Sequence, residues 1–227
     1  MVIEDNKPDA VALMEEKLAN ISNMEVCVAR TKYPQGAEKM LIKKVLRRQV
    51  PSGGLPADVG VVVCNVSTVK AIADAITKGL PLIERVTTVT GEHIAQPKNF
   101  IVRLGTLASA LVEASGGITG ENVTVKAGGP MMGFVQNTLE TPIMKGSNGI
   151  IAVDSDKTQE LECIKCGRCV DVCPMELKPL RFHKYKEAEN WLGMKQENVM
   201  DCVECRCCEY ICSSKIPLVS KIKAGKA

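Results

Sequence analysis

Eight cysteines in two identically spaced runs are the residues of this sequence best suited to chemistry. Cys163, Cys166, Cys169 and Cys173 recur as Cys202, Cys205, Cys208 and Cys212, each displaced by 39 positions. Each run reads C-x2-C-x2-C-x3-C. Three thiolates within seven residues can wrap one face of an iron–sulfur cubane. The fourth is carried off along the following helix to the neighbouring cluster, the crossing known for this run in two-cluster ferredoxins. One [4Fe–4S] cluster is therefore assigned to Cys163, Cys166, Cys169 and Cys212, and the other to Cys202, Cys205, Cys208 and Cys173. Structural zinc is the competing reading, but zinc knuckles come as separated C-x2-4-C pairs, often with His. Here a third cysteine keeps the spacing, the run occurs twice, and no His joins it. Two cubanes in one small domain imply a relay of single electrons.

The copies differ in two places. Pro174 follows the first run where Ser213 follows the second, and Gly167 corresponds to Arg206. Pro helps end the loop and exclude water, and Gly lets backbone N–H groups approach cluster sulfurs, so the second cluster is expected to have the less predictable potential. Cys207 is out of ligand register and reads as a spare thiol. Cys27 and Cys64 fall in apolar segments and read as buried hydrophobes. His93 and His183 are isolated, which favours surface or packing roles. Met131-Met132 follows Gly128-Gly129-Pro130 in a turn. Ser52-Gly53-Gly54 lacks both G-x-G-x-x-G and a Walker lysine, too little for a phosphate loop.

The 227 residues carry a net charge of +3 and no Lys/Arg-rich run, which argues against a nucleic-acid partner. Residues 157–227 hold 13 Lys/Arg against 10 Asp/Glu, so the whole excess lies in the cysteine-rich tail, where it can offset the charge of thiolate-bound clusters. No signal peptide and no apolar stretch near the ~20 residues of a membrane span are present. Crowded cysteines without an export signal point to metal rather than disulfides, and to the cytoplasm or the cytoplasmic face of a membrane.

The elements that must position these thiols follow from periodicity. Val2 to Asn6 reads as a strand end, and Pro8 suits the first turn of a helix to about residue 20, with Val11, Met14 and Leu18 on one face. Met24 to Ala29 reads as a buried strand and Gly36 to Arg47 as a helix. The continuous apolar run Val59 to Cys64 reads as another strand, followed by a helix capped by Asn65 or Ser67 and running to about Lys78. Such alternation indicates an α/β unit with a parallel sheet. After Pro81, strands at Val86–Thr90 and Phe100–Leu104, a helix capped by Thr106, and a strand at Val123–Ala127 form a β-grasp-like unit. Asn148 to Asp154 reads as one more strand. Leu180, Tyr185, Ala188 and Trp191 are available for packing between the cysteine runs. The expected division is 1–80 partial α/β domain, 81–135 β-grasp, 136–157 linker and strand, and 158–227 helical two-cluster domain.

With these motifs in place, the sequence resembles the RnfC family, which supplies one subunit of the Rnf ion-translocating NAD:ferredoxin electron-transport complex. Ile3-Glu4-Asp5-Asn6-Lys7-Pro8 matches a strand–helix junction in the family's flavin/NADH domain. Tyr33 to Lys39 (YPQGAEK) and Pro51 to Gly60 (PSGGLPADVG) are family signatures, Gly128 to Gly133 (GGPMMG) closes its SLBB domain, and the twin cysteine runs end the match. The resemblance covers the whole chain. It implies an α/β fragment of a flavin/NADH-binding domain related to the complex I flavin subunit, then an SLBB-like β-grasp domain, then an α-helical dicluster ferredoxin domain. It also implies a peripheral location on the cytoplasmic face of the membrane, partnered by membrane and ferredoxin-like Rnf subunits. Asn65-Val66-Ser67-Thr68 resembles the N-V-x-T stretch beside the flavin, making Asn65 and Thr68 the implied flavin contacts. Helix capping is the alternative role for Asn65. The family's Gly-rich FMN loop is not supplied here, so an N-terminally truncated or split form is expected. FMN and NADH would then bind only with that segment or a partner chain. A soluble flavin/iron–sulfur reductase related to cobalamin reductase is the alternative, and a binding module with structural clusters a third reading.

Overall fold

A computed structural model describes residues 1–155 and 159–226. The expected start of the helical domain at residue 158 lies outside the described residues. The first unit places β1 (Val2–Glu4) parallel to β2 (Cys27–Ala29), joined through α1 (Pro8–Leu18). Pro8 occupies the first helical turn, where its missing N–H costs no bond. Val11, Met14 and Leu18 share the half-buried face of α1. Next come α2 (Glu38–Leu46), with Ile42 buried, a short 3-10 turn at Pro56–Val59, and α3 (Val66–Lys78). Asn65 caps α3, its Oδ1 accepting from the Ser67 amide at 2.9 Å.

The strand expected at Val59–Cys64 does not form. Val59 ends the 3-10 turn and residues 61–64 are irregular. Only β1 and β2 pair in this sheet, so the apolar run finds no neighbour for its backbone groups, and Val62 is 81% exposed. Cys64 is accordingly exposed and Cys27 half-buried, not the buried hydrophobes expected.

The second unit is a five-stranded sheet of order β4-β3-β7-β5-β6. β3 (Glu84–Thr90) and β4 (Lys98–Arg103) form an antiparallel pair, α4 (Ala108–Ala114) crosses over, and β5 (Val123–Ala127) pairs with the short β6 (Phe134–Val135). β7 (Gly149–Asp154) enters the centre, parallel to β3 and antiparallel to β5. The sheet therefore continues past residue 135, and the strand expected within a linker is central to it. Thr87 and Val89, two apart on β3, face inward as the pleat requires. Val89, Val102, Leu111, Val112, Val125, Ile150 and Ala152 share the core beneath α4. Leu107, not Thr106, is the residue that precedes α4, and it caps without a side-chain bond. In the GGPMMG turn, a Cβ on Gly133 would sit 3.0 Å from the Ala127 carbonyl oxygen and nearer still to that of Gly129, so only Gly fits there.

The third unit repeats itself in three dimensions. α5 (Arg168–Asp171), α6 (Pro179–Glu187) and α7 (Trp191–Gln196) are followed by a 3-10 turn at Val199–Asp201, α8 (Cys207–Tyr210) and α9 (Leu218–Ala224). The starts of α8 and α9 lie 39 residues after those of α5 and α6. Left-handed residues recur at the same displacement: Lys165 with Glu204, Gly167 with Arg206, Glu176 with Lys215. Phe182, Met194, Val199, Leu177 and Ile222 form one core, and Ile216, Leu218, Val219 and Cys208 another. Trp191 and Ala188, expected in the packing, are exposed; Phe182 and Met194 fill that place.

Candidate metal centres and their surroundings

Each short helix of the third unit starts from a left-handed residue just after the second cysteine of its run. This conformation turns the chain back, so three thiols of a run face one space. One cavity, of about 380 Å³, is lined by Cys163, Cys166, Cys169 and Cys212. The other, of about 350 Å³, is lined by Cys173, Cys202, Cys205 and Cys208. Three cysteines of one run thus meet the fourth of the other in each. The crossing is held by backbone as well: the Leu161 amide donates to the Ser214 carbonyl at 2.9 Å, and Ser214 Oγ donates to the Glu162 carbonyl at 2.8 Å.

The chemistry of the donor set fits iron–sulfur cubanes. The remaining walls are chiefly apolar, Leu177, Phe182, Val219 and Ile222 around the second set and Leu180, Ile216 and Leu218 around the first. Burial pushes the Cys208 thiol up to about 12, reinforced by Cys202, Cys205 and Cys173; burial also raises Cys202 and Cys169. Such thiols stay protonated until a cation replaces their protons, so loading releases protons and is favoured by rising pH. The Glu204 amide donates to Cys202 Sγ at 3.4 Å, and the Leu180 amide to Cys169. These donors favour added negative charge, as does Lys226, whose Nζ donates to the Cys202 carbonyl at 2.6 Å.

The crossing also redistributes the differences between the copies. Ser213, in the second run, lines the first cavity, while Pro174 and Arg206 line the second. The two departures therefore act on different cavities, not both on one. Cys207 is buried but lines neither cavity; burial, then its hydrogen bond to Cys205, raise its thiol to about 12.

Sequence reasoning passed over three residues here. His183 lines the first cavity, and its Nδ1 lies 3.4 Å from Lys221, which is itself bonded to Glu160 at 2.6 Å and Glu187 at 3.2 Å. Burial, aided by Lys221, lowers the His183 pKa and keeps the ring neutral. Tyr33, in the first unit, donates its hydroxyl to the Cys205 carbonyl at 2.9 Å. Position within the tail repeat was the one signal that could have found His183, and Tyr33 had none. His93 instead sits 2.7 Å from both the Asp154 carboxylate and the Thr119 carbonyl. Two acceptors require both ring nitrogens to carry protons, and the ring is a charged strut for β7. Asn65 and Thr68 are exposed, and the Asn65 side chain serves the α3 cap.

A flavin-type α/β unit, a β-grasp sheet and a helical pair of four-thiol cavities define a flavin-linked iron–sulfur electron-transfer protein. The family models agree in order: Nuo51 FMN-binding domain over residues 1–74, SLBB domain over 86–135, and 4Fe-4S dicluster domain over 162–216. FMN and [4Fe–4S] clusters are thus the cofactors of its domains. The chain is 48% identical over 203 residues to the RnfC-type component of the proton-translocating ferredoxin:NAD(+) oxidoreductase complex of Clostridium ljungdahlii, covering 88% of this chain and 44% of that protein. It is 43% identical to the counterpart in the Na(+)-translocating complex of Acetobacterium woodii, over 99% of this chain and 51% of the other. Against the corresponding component of the ion-translocating oxidoreductase complex of Erwinia tasmaniensis it is 41% identical, over 99% of this chain and 28% of the other. The chain belongs to the RnfC family. It spans about half or less of the length of these curated relatives. Among the described residues, no helix is long and apolar enough to cross a membrane.

Proposed function

We propose that the chain relays single electrons through two [4Fe–4S] clusters within an Rnf-type complex that couples NADH–ferredoxin electron flow to ion translocation. In this reading Cys163, Cys166, Cys169 and Cys212 hold one cluster, and Cys173, Cys202, Cys205 and Cys208 the other. The observation that carries it is the pairing of three thiols from each run with the fourth of the other around a largely apolar space. The clusters supply reversible one-electron chemistry. The protein's own part is to give up four thiol protons per site, exclude water with Phe182, Leu218 and Val219, and direct amide donors at sulfur. The chain is held at the cytoplasmic face of the membrane through its partners in the complex. Anaerobic reconstitution of the 227-residue chain should yield about eight irons per polypeptide, four per cubane. A reproducible value near four refutes the two-cluster relay.

A further inference from the structure

The two cavities are not equivalent in their surroundings, and the difference gives the relay a direction in space. Every hydrogen bond and ion pair described between residues 1–80 and the helical unit lands on the second set's side. The Tyr33 hydroxyl donates to the Cys205 carbonyl at 2.9 Å. The Gly53 amide donates to Asp201 at 3.4 Å, and Lys39 Nζ lies 3.8 Å from the same carboxylate, one residue before Cys202. Lys43 lies 3.8 Å from Glu176, three residues after Cys173. Met40 and Val50 of the first unit close a further cavity with Pro174 and Met175. The first set has no such cover. Cys166 is exposed and its neighbour Ile164 is 68% exposed, whereas Cys205 and Cys208 are each 7% exposed.

We infer that the cluster of Cys173, Cys202, Cys205 and Cys208 is the inner one, exchanging electrons with the flavin-type unit, and that the cluster of Cys163, Cys166, Cys169 and Cys212 is the outer one, exchanging them with a redox partner beyond this chain at the Cys166 edge. Tyr33 is a positioning residue: it pins the first unit to a ligand of the inner cluster and aims the positive end of its O–H dipole there. Electron transfer weakens steeply with distance, so the shorter covered path serves the flavin side and the exposed edge serves the partner. This rests on the two-cluster reading above.

The reconstituted, dithionite-reduced chain tests the inference by electron paramagnetic resonance, with Cys202→Ser and Cys166→Ser assigning each signal to its set. A bulky hydrophilic lanthanide chelate should speed relaxation of the Cys166-dependent signal and leave the Cys202-dependent one nearly unchanged. Tyr33→Phe keeps the ring but removes the donor. It should lower the midpoint potential of the Cys202-dependent signal alone, because reduction loses a stabilising dipole. Eight irons with the chelate acting equally or more on the Cys202-dependent signal, or with Tyr33→Phe shifting the other signal or neither, overturn the inference alone. About four irons per chain overturn the two-cluster reading and the inference with it.

Discussion

The left-handed residue that opens each short helix is Gly in one run and Arg in the other, which sets up a paired test with opposite signs. Gly167 has φ +79° and a Cβ added there would meet nothing within 4 Å, so Gly167→Ala pays only backbone strain. A non-Gly residue in this region costs about 1–2 kcal/mol. Arg206 has φ +63° and already bears that cost; Arg206→Gly should recover it. The same exchange removes the part-exposed Arg206–Glu209 pair at 3.5 Å, worth roughly 0–1 kcal/mol at the surface. The net gain is about 1 kcal/mol. Iron release into an anaerobic ferrous chelator at moderate urea reads both. Gly167→Ala should speed loss of the Cys166-dependent cluster by about 5- to 30-fold. Arg206→Gly should slow loss of the other by roughly 5-fold. Unchanged release from Gly167→Ala, or faster release from Arg206→Gly, would refute the strain argument.

Two further outcomes follow from packing and charge. Phe182 is fully buried between the inner thiols and the Met194–Ile222 core, so Phe182→Ala should destabilise the helical unit by about 3–5 kcal/mol, seen as a lower urea midpoint of cluster absorbance. The hydrogen bond from His93 to Asp154 raises the histidine pKa above 6.5 in the folded state. Its contribution is therefore complete below pH 6.5 and disappears as pH climbs through the raised folded value. The Tm difference between the natural chain and Asp154→Asn should be largest at about pH 5.5–6 and shrink toward alkaline pH; a difference that grows with pH excludes the charged strut.

The cysteine sites were legible because ligand spacing is a local property: three thiols within seven residues need only one tight turn to converge. The strands at Val86, Phe100 and Val123 were legible for a similar reason, since period-two alternation between turns is local too. What escaped depends on distant partners. The Val59–Cys64 run has strand-like composition, but pairing is decided by neighbours, and here only β1 and β2 find each other. β7 was visible as a strand and misplaced as a linker, because its parallel register with β3 joins residues some 60 positions apart. Trp191 is large and apolar, yet α7 turns Met194 inward instead. Tyr33 and His183 matter only through what the fold brings beside them.

The central position of β7 sets an order on biosynthesis. Emerging from the ribosome, β3–β4 and β5–β6 can each zip up early, but the gap between them stays open until residue 154 has been made. The cysteine runs are the very next segment to be translated. Metal insertion therefore comes last on a nascent chain whose sheet has just closed, and a strand-7 defect would show first as poor iron incorporation rather than as a missing domain.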